Sequence, residues 1–444
     1  MSLFSAVNTA VSGLTAQSTA FGNISEDVAN SQTTGFKRID TSFVDYLTTS
    51  TPDENEPGAV VARPDYINNV QGAITQTDNP LGMAIAGQGF FAVSQATGQV
   101  NNVATFNSQQ RYTRAGDFQM NANGYLVNSA GQYLNGWTVD PATKVANQNA
   151  LVPIQVNQSA YNPVATSTVT LAANLPATPA TGTATAASPV SSQITVYDSL
   201  GTAHAVTLNW TQNAANDWTV QVSVPDSTTG NTDAGSADVQ FGALSGNGVA
   251  EGTIGQVSAS TSDPGTVTTA GFTSGQPASL AFTTNFGSGN QVINLDLGTY
   301  GGTTGVTQYA GTAYSLSGLT QDGVPPGSFS GVTTQANGDV TVNYNNGQTR
   351  TIAQIPLVTF NDPNGLQGQN GQAFTGTASS GTPLAEAVGT NGAGSLVTGS
   401  VEGSNVDIAT EFSNLIVAQQ AYSSNAKVVT TASQMLQSTL QMIV

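Results

Sequence analysis

The sequence predicts an α+β protein, mainly β. Paired N- and C-terminal coiled-coil-forming helices flank two or more β-rich domains inserted between them. Three observations predict this. Apolar residues recur at steps of three and four at both ends of the 444-residue chain. No Pro interrupts residues 1–51 or 384–444. Between these ends lie short alternating segments punctuated by Gly and Asn, the pattern of strands and tight turns.

Residues 1–30 read as an N-terminal core helix. Leu3, Val7, Ala10, Leu14, Phe21, Ile24 and Val28 lie on one seam, with Gln17 at the position skipped. That is a heptad pattern, and a heptad seam needs a partner. Residues 31–71 form a connecting stalk, in which Pro52, Asp53, Glu54, Glu56 and Pro57 mark Thr48–Gly58 as an exposed loop.

An inner, discontinuous β domain is expected from 72–150 plus 340–400. Ile85–Val93 reads as strand, turn, strand, and Tyr112–Trp137 repeats short strands around Gly116, Asn123-Gly124 and Ala130-Gly131. Asn-Gly between alternating residues is a hairpin signal. Val340–Tyr344 with Thr349–Ile352 makes another hairpin, followed by a strand over Ile355–Phe360. Outer inserted β structure is expected over 151–339. There Ile194–Tyr197, Ala205–Trp210 and Trp218–Val224 pattern as strands, Leu175–Val190 as a flexible connection, and 225–280 and 298–335 as weak strands with long loops.

Residues 401–444 read as the C-terminal core helix. Its seam is Ile408, Phe412, Leu415, Gln419, Tyr422, Ala426, Val429, Ser433, Leu436, Leu440 and Ile443. Asn405 and Ser404 are the candidate N-caps, with Asp407 and Glu411 near the positive helix end. Positions off both seams are also small or apolar, including Phe4, Ala6, Val11, Ala16 and Ala20, then Ile416, Val417, Ala418, Ala421 and Val428. A helix apolar most of the way round expects neighbours on several sides, which favours a multi-chain bundle over a private two-helix coiled coil inside one monomer.

Composition narrows the function. Only 8% of residues are charged, and the 8 basic side chains face 26 acidic ones, for a net charge of -18. Eight cations cannot form a phosphate-binding stripe, so no nucleic-acid partner is expected. No run approaches the length of a membrane span, so no membrane insertion is expected. The chain has no Cys and one His, His204. Thiol chemistry, His-based metal sites and a Ser-His-Asp arrangement all lack their parts, and neither an enzyme nor a cofactor is expected. Gly87-Gln88-Gly89-Phe90-Phe91-Ala92 fits G-x-G-x-x-A, but the residues after the glycines read as strand, and the dinucleotide fingerprint needs a helix there. Asp362, Asn364 and the Asp53–Glu56 run lack calcium-loop spacing. Lys37 and Arg38 stand out as two adjacent cations just past the first helix. They are candidates for intersubunit contacts with an acidic neighbour.

Two terminal motifs then carry a resemblance. Ser12-Gly13-Leu14 with Asn23–Arg38 (NISEDVANSQTTGFKR), and Glu402–Asp407 with Ile416–Ala426 (IVAQQAYSSNA), resemble the paired ends of bacterial flagellar rod and hook proteins. Ala86–Phe91, Tyr112–Phe118 and Gly124–Val127 resemble that group's shared β segments. The length, Thr195–His204 and Ile355–Phe360 leading to Asn364-Gly365-Leu366 point to its hook members.

The resemblance implies a structural subunit that self-assembles into a hollow, flexible helical polymer, the universal joint that passes torque from rod to filament. The terminal helices would line the tube and the β domains would sit outside. Implied partners are further copies of the chain, distal rod, hook cap and hook–filament junction proteins, and the flagellar type III export apparatus. An extracellular location on the flagellum, reached without a cleaved signal peptide, is also implied.

Overall fold

The computed structural model describes residues 3–443 except 51–54, 101–102, 178–188, 229–231, 245–247, 261–266, 270 and 312. The expected connection over Leu175–Val190 lies largely outside the described residues. The same holds for the side chains of Leu3, Phe4, Leu440 and Ile443. The architecture is mainly β with one long helix at each end, α1 (Leu3–Ala29) and α2 (Ile408–Ile443). No described helix is long and apolar enough to cross a membrane. The chain divides into two compact units. One comprises residues 1–158, 330–343 and 349–444, and the other 159–329 and 344–348.

In the first unit the stalk differs from expectation. Of the predicted loop over Thr48–Gly58, residues 51–54 lie outside the described residues and the rest is strand: β1 (Ile39–Ser50) pairs antiparallel with β2 (Asn55–Tyr66). Pro57 and Pro64 are tolerated because a two-stranded ribbon has only edges, where a missing N–H costs no ladder bond.

The sheet of this unit runs in the order Thr349–Gln354, Gln132–Thr138, Phe90–Val100, Arg111–Thr113, Ala373–Thr375, Gln367–Gln369. Its core gathers Phe90, Tyr112, Val358, Phe360, Leu366 and Phe374. Phe360 meets Tyr112 and Phe90 edge-on at 4.9 and 6.0 Å, the arrangement the ring quadrupole favours. Gly87–Gly89 is a turn between strands Met83–Ala86 and Phe90–Val100, so the fingerprint has no helix to aim at a phosphate.

Chain closure comes from two short pairings. Ile74–Gln76 pairs with Ser400–Glu402, and Met83–Ala86 with Ser395–Thr398. Residues 401–407 are therefore strand and connection, and the predicted C-terminal helix starts later, at Ile408. Its cap is Asp407, whose side chain accepts from the N–H groups of Ala409 and Thr410 at 2.9 and 3.4 Å. The expected cap Asn405 is engaged elsewhere: its Oδ1 accepts from Arg38 N–H, and its Nδ2 donates to the Ile67 and Val70 carbonyls. Ser404 Oγ accepts from Val406 N–H, one step too early to cap the helix.

The second unit packs two sheets over one core. A five-stranded sheet runs Val190–Tyr197, Ala203–Ala214, Asp217–Ser223, Asp233–Phe241, Ile254–Ala259. The other is built on Pro277–Asn285, Asn290–Thr299, Thr168–Asn174 and Ser315–Gln321. Side chains alternate in and out, and the inward row includes Trp210, Trp218, Val220, Leu280, Phe282 and Leu295. The Gly-, Ser- and Thr-rich stretches thus hold more regular strand than their composition suggested. His204 stacks on Phe286 at 3.9 Å, with Asp198 and Asp226 3.7 and 3.4 Å from its two ring nitrogens.

Candidate assembly site

The helical ends pair within the chain. A Cβ on Gly13 would lie 2.8 Å from Asn425 Nδ2, and Phe21 meets Tyr422 edge-on at 6.2 Å. Position 13 lies against 425 and position 21 against 422, so α1 and α2 run antiparallel. The β1–β2 hairpin docks on α1. Thr9 Oγ1 donates to the Gly58 carbonyl, Val60 N–H donates to Ser12 Oγ, and Asn23 Nδ2 donates to Thr41 Oγ1.

Burial follows only half of each predicted seam. On α1, Ala10 and Ile24 of the seam are buried, as is Ala16, and a second buried row is Gly13, Ala20 and Asp27. Val7, Leu14, Phe21 and Val28 lie one residue further on and stay half-exposed. On α2, Leu415, Val429 and Leu436 are half-buried, and the second row is Glu411, Ala418 and Ala432, one residue before the expected Phe412, Gln419 and Ser433. Ile408, Phe412 and Tyr422 are 40, 52 and 43% exposed, and Ala426 is half-buried. The physical reason is size. Two helices approach closest where side chains are smallest, so Gly13, Ala20, Ala418 and Ala432 take the contact and larger neighbours turn aside. Periodicity of hydrophobicity marks the largest residues instead.

A large apolar surface is therefore left open. Val11, Ile416, Val417, Val428 and Met435 are each exposed by more than two-fifths, and Val417 by 65%.

Where the stalk meets the sheet, three charges are buried together. Lys37 Nζ lies 2.6 Å from Glu402 Oε1, and Arg114 Nη1 lies 3.1 Å from Glu402 Oε2. Lys37 also donates to the Val70 carbonyl at 2.6 Å, Gly72 N–H donates to Glu402, and Arg114 Nη2 donates to the Gly87 carbonyl. The Arg114 guanidinium lies 5.1 Å from the centre of the Phe90 ring. Burial lowers the Lys37 pKa, with Arg114 adding to the effect and Glu402 opposing it; burial likewise lowers that of Arg114. Backbone fits tightly here. Gly35 has φ +69° and a Cβ would lie 2.3 Å from Ala115 N, while one on Gly72 would lie 2.1 Å from the Gly403 carbonyl oxygen. Only glycine permits both.

The adjacent cations thus separate. Lys37, a candidate for a contact between copies, pairs instead inside its own chain, because strand pairing brings Glu402 to it across 365 positions. Arg38 stays at the surface, 3.2 Å from Asp40.

A second charged group lies between the helices. Asp27 of α1 and Glu411 of α2 are 1 and 2% exposed. Both Asp27 oxygens accept from Ile39 N–H, at 3.1 and 3.2 Å. Burial, with Glu411, Asp40 and Glu26 adding negative charge, raises Asp27 to about 7 against the Ile39 bond. Burial also raises Glu411, with Asp40 and Asp407 adding to it, while Asn414 and Arg38 oppose. Sequence reasoning missed Glu402, Arg114 and the inward direction of Asp27 and Glu411. The signal available was scarcity: in a chain this poor in charge, one inside an apolar or Gly-rich motif has a specific partner. No group of three His, Cys, Asp or Glu side chains among the described residues is arranged to hold a metal ion.

Two antiparallel helical ends, locked to a β body by a buried ion triad and open along an apolar face, define a structural protein. Comparison with known proteins is specific. Residues 84–172 match the model for the flagellar hook protein FlgE/F/G D1 domain, 162–324 that for the flagellar basal body protein FlaE D2 domain, and 397–442 that for the flagellar basal body rod FlgEFG protein C-terminal region. The flagellar hook protein FlgE of Brucella suis is 30% identical over 437 residues, covering 98% of each chain. That of Escherichia coli is 30% identical over 443 residues, covering 97% of this chain and 98% of its own. A crystal structure of Helicobacter pylori flagellar hook protein FlgE2 aligns with 72% of this chain and 98% of its own, at TM-score 0.47 and 13% identity. The chain belongs to the flagellar hook protein family, whose role is structural.

Proposed function

We propose that copies of this chain self-assemble into the flagellar hook, the extracellular flexible joint between rod and filament. The observation that carries this reading is the apolar surface left open on α2, where Ile408, Phe412, Ile416, Val417, Val428 and Met435 are all exposed along one helix. Burying each such side chain contributes on the order of 1.5–3 kcal/mol, so several per copy suffice to drive association. The half-exposed Val7, Leu14, Phe21 and Val28, with Tyr422 and Ala426, add to the surface that neighbouring copies cover. In this reading the helices form a stiff axial wall. The outer β units, poor in charge and rich in short polar side chains, exchange contacts at little cost as the wall bends. Rod, cap and junction proteins meet the two ends of the polymer, and the chain reaches them through the flagellar type III export apparatus without cleavage of its N-terminus.

The test is assembly of purified chain, followed by electron microscopy. Val417→Asp should leave the monomer's melting temperature almost unchanged, since exposed substitutions fall within about 0.5 kcal/mol, yet stop polymer formation. A chain shortened by residues 159–329 should still assemble. If Val417→Asp polymerises like the unaltered chain, the helical face is not the interface.

A further inference from the structure

Between them α1 and α2 carry one basic residue, Lys427. It is exposed, and it joins no ion pair among the described residues. It lies two positions beyond Asn425, which faces α1, so it points about 200° round the helix from that contact, away from its own chain's first helix.

The opposite charge is waiting elsewhere on the same helix. Glu411 is 2% exposed, yet its Oε1 has no hydrogen-bond partner. A buried carboxylate oxygen left unpaired is costly, and such an atom at the wall of an opening marks a missing partner. Glu411 borders a cleft of about 620 Å³ between the two helices and the β1–β2 hairpin. Its charged lining is Arg38, Asp40, Asp65 and Glu411, with Asp27 facing Glu411 from α1. Carboxyl groups therefore outnumber the single guanidinium, which Asp40 already engages at 3.2 Å. The walls nearby, Ala20, Ile24 and Val417, are apolar. An ammonium on a long aliphatic stem matches both features, because its stem lies on apolar wall while its head reaches the oxygen.

We propose that the Lys427 ammonium of a second copy of this chain enters this cleft and pairs with Glu411. The contact rests on the polymer reading and specifies one of its interfaces. It also fixes a geometry. Glu411 and Lys427 are 16 positions apart on one helix. At 1.5 Å per residue, parallel copies that make the pair are displaced by about 24 Å along α2. Arg63 is the other exposed cation of the stalk region, but it donates to Tyr46 Oη at 2.8 Å within its own chain.

The chain has no native cysteine, so introduced thiols report cleanly. Chain carrying Glu411→Cys and Lys427→Cys is assembled, treated with a short bismaleimide and run on a denaturing gel. A ladder of linked chains is expected, and none from either single variant. In parallel, Lys427→Glu should raise the concentration needed for assembly at least about tenfold, and Lys427→Glu with Glu411→Lys should restore most of the loss. Circular dichroism confirms that the variants keep their helices; Lys427→Glu, at an exposed position, serves as the primary variant. Normal assembly of Lys427→Glu, absence of the ladder, or a ladder from Arg63→Cys in place of Lys427→Cys overturns the assignment. Failure of the unaltered chain to assemble overturns the polymer reading and this contact with it.

Discussion

The helical ends and the second β unit bury their apolar residues in opposite ways. In the second unit, inward rows from two sheets meet, and Trp210, Trp218, Phe282 and Leu295 are almost wholly buried within one chain. At the helical ends the deepest positions are small or charged, namely Ala20, Ala418, Asp27 and Glu411, while Phe412, Ile416 and Val417 remain open. A sheet pair can satisfy its own hydrophobic faces. A two-helix pair with apolar residues most of the way round cannot, because each helix covers only one stripe of the other. The difference teaches where the chain is complete by itself and where it needs copies.

Three substitutions probe that contrast. The largest effect is expected at the joint. Glu402→Ala leaves the Lys37 and Arg114 charges buried without a counter-ion, which costs about 3–5 kcal/mol. The first unit should lose that much stability by urea unfolding, and assembly should fail with it. Replacing all three by apolar residues of similar size should be near neutral, since the attraction within a buried triad barely offsets its desolvation. If Glu402→Ala unfolds at the same urea concentration as the unaltered chain, the triad is not the lock.

Trp210→Ala should cost about 3–5 kcal/mol, but in the second unit only. Calorimetry should show one transition moved down and the other in place, with polymers still forming. A common shift of both transitions would show that the two regions unfold as one, and would break the comparison.

The smallest effect is expected at Asp27. Its folded pKa is raised from 3.8 to about 7, so the folded chain keeps a proton that the unfolded chain has lost. The groups facing it are Glu411, Asp40 and Glu26, with the Ile39 N–H opposing them. Because the folded state binds more protons, this site's contribution to stability is fully present below about pH 4 and drains away as pH rises through 7. Asp27→Asn, which keeps an acceptor for Ile39 N–H, should flatten the fall in melting temperature between pH 5 and 8. An unchanged slope would place the titrating group elsewhere.

Much of the architecture was legible along the chain. Asn123-Gly124, the Ile194–Tyr197 and Ala205–Trp210 strands and the Val340–Tyr344 hairpin carry local signals, since turn chemistry and period-two alternation act over a few residues. The β1–β2 ribbon was not legible, because Pro57 and the acidic residues at 53–56 argue against a strand where no second sheet neighbour exists to show their cost. The pairing of the two helices within the chain was half legible. Heptad spacing located Ala10, Ile24, Leu415 and Val429. It could not choose the second row, which helix–helix distance sets through Gly13, Ala20 and Ala418.

By itself the sequence determined that two helical ends flank a β body, that eight cations serve 444 residues, and that apolar residues lie most of the way round both ends. Tertiary structure alone decided that Lys37 belongs inside with Glu402 while Arg38 stays outside, and that Asp27 and Glu411 face each other across two helices. The physical reason is that burial is a property of neighbours. A charge is hidden or exposed according to what the fold brings to it, and here Glu402 lies 365 positions from Lys37.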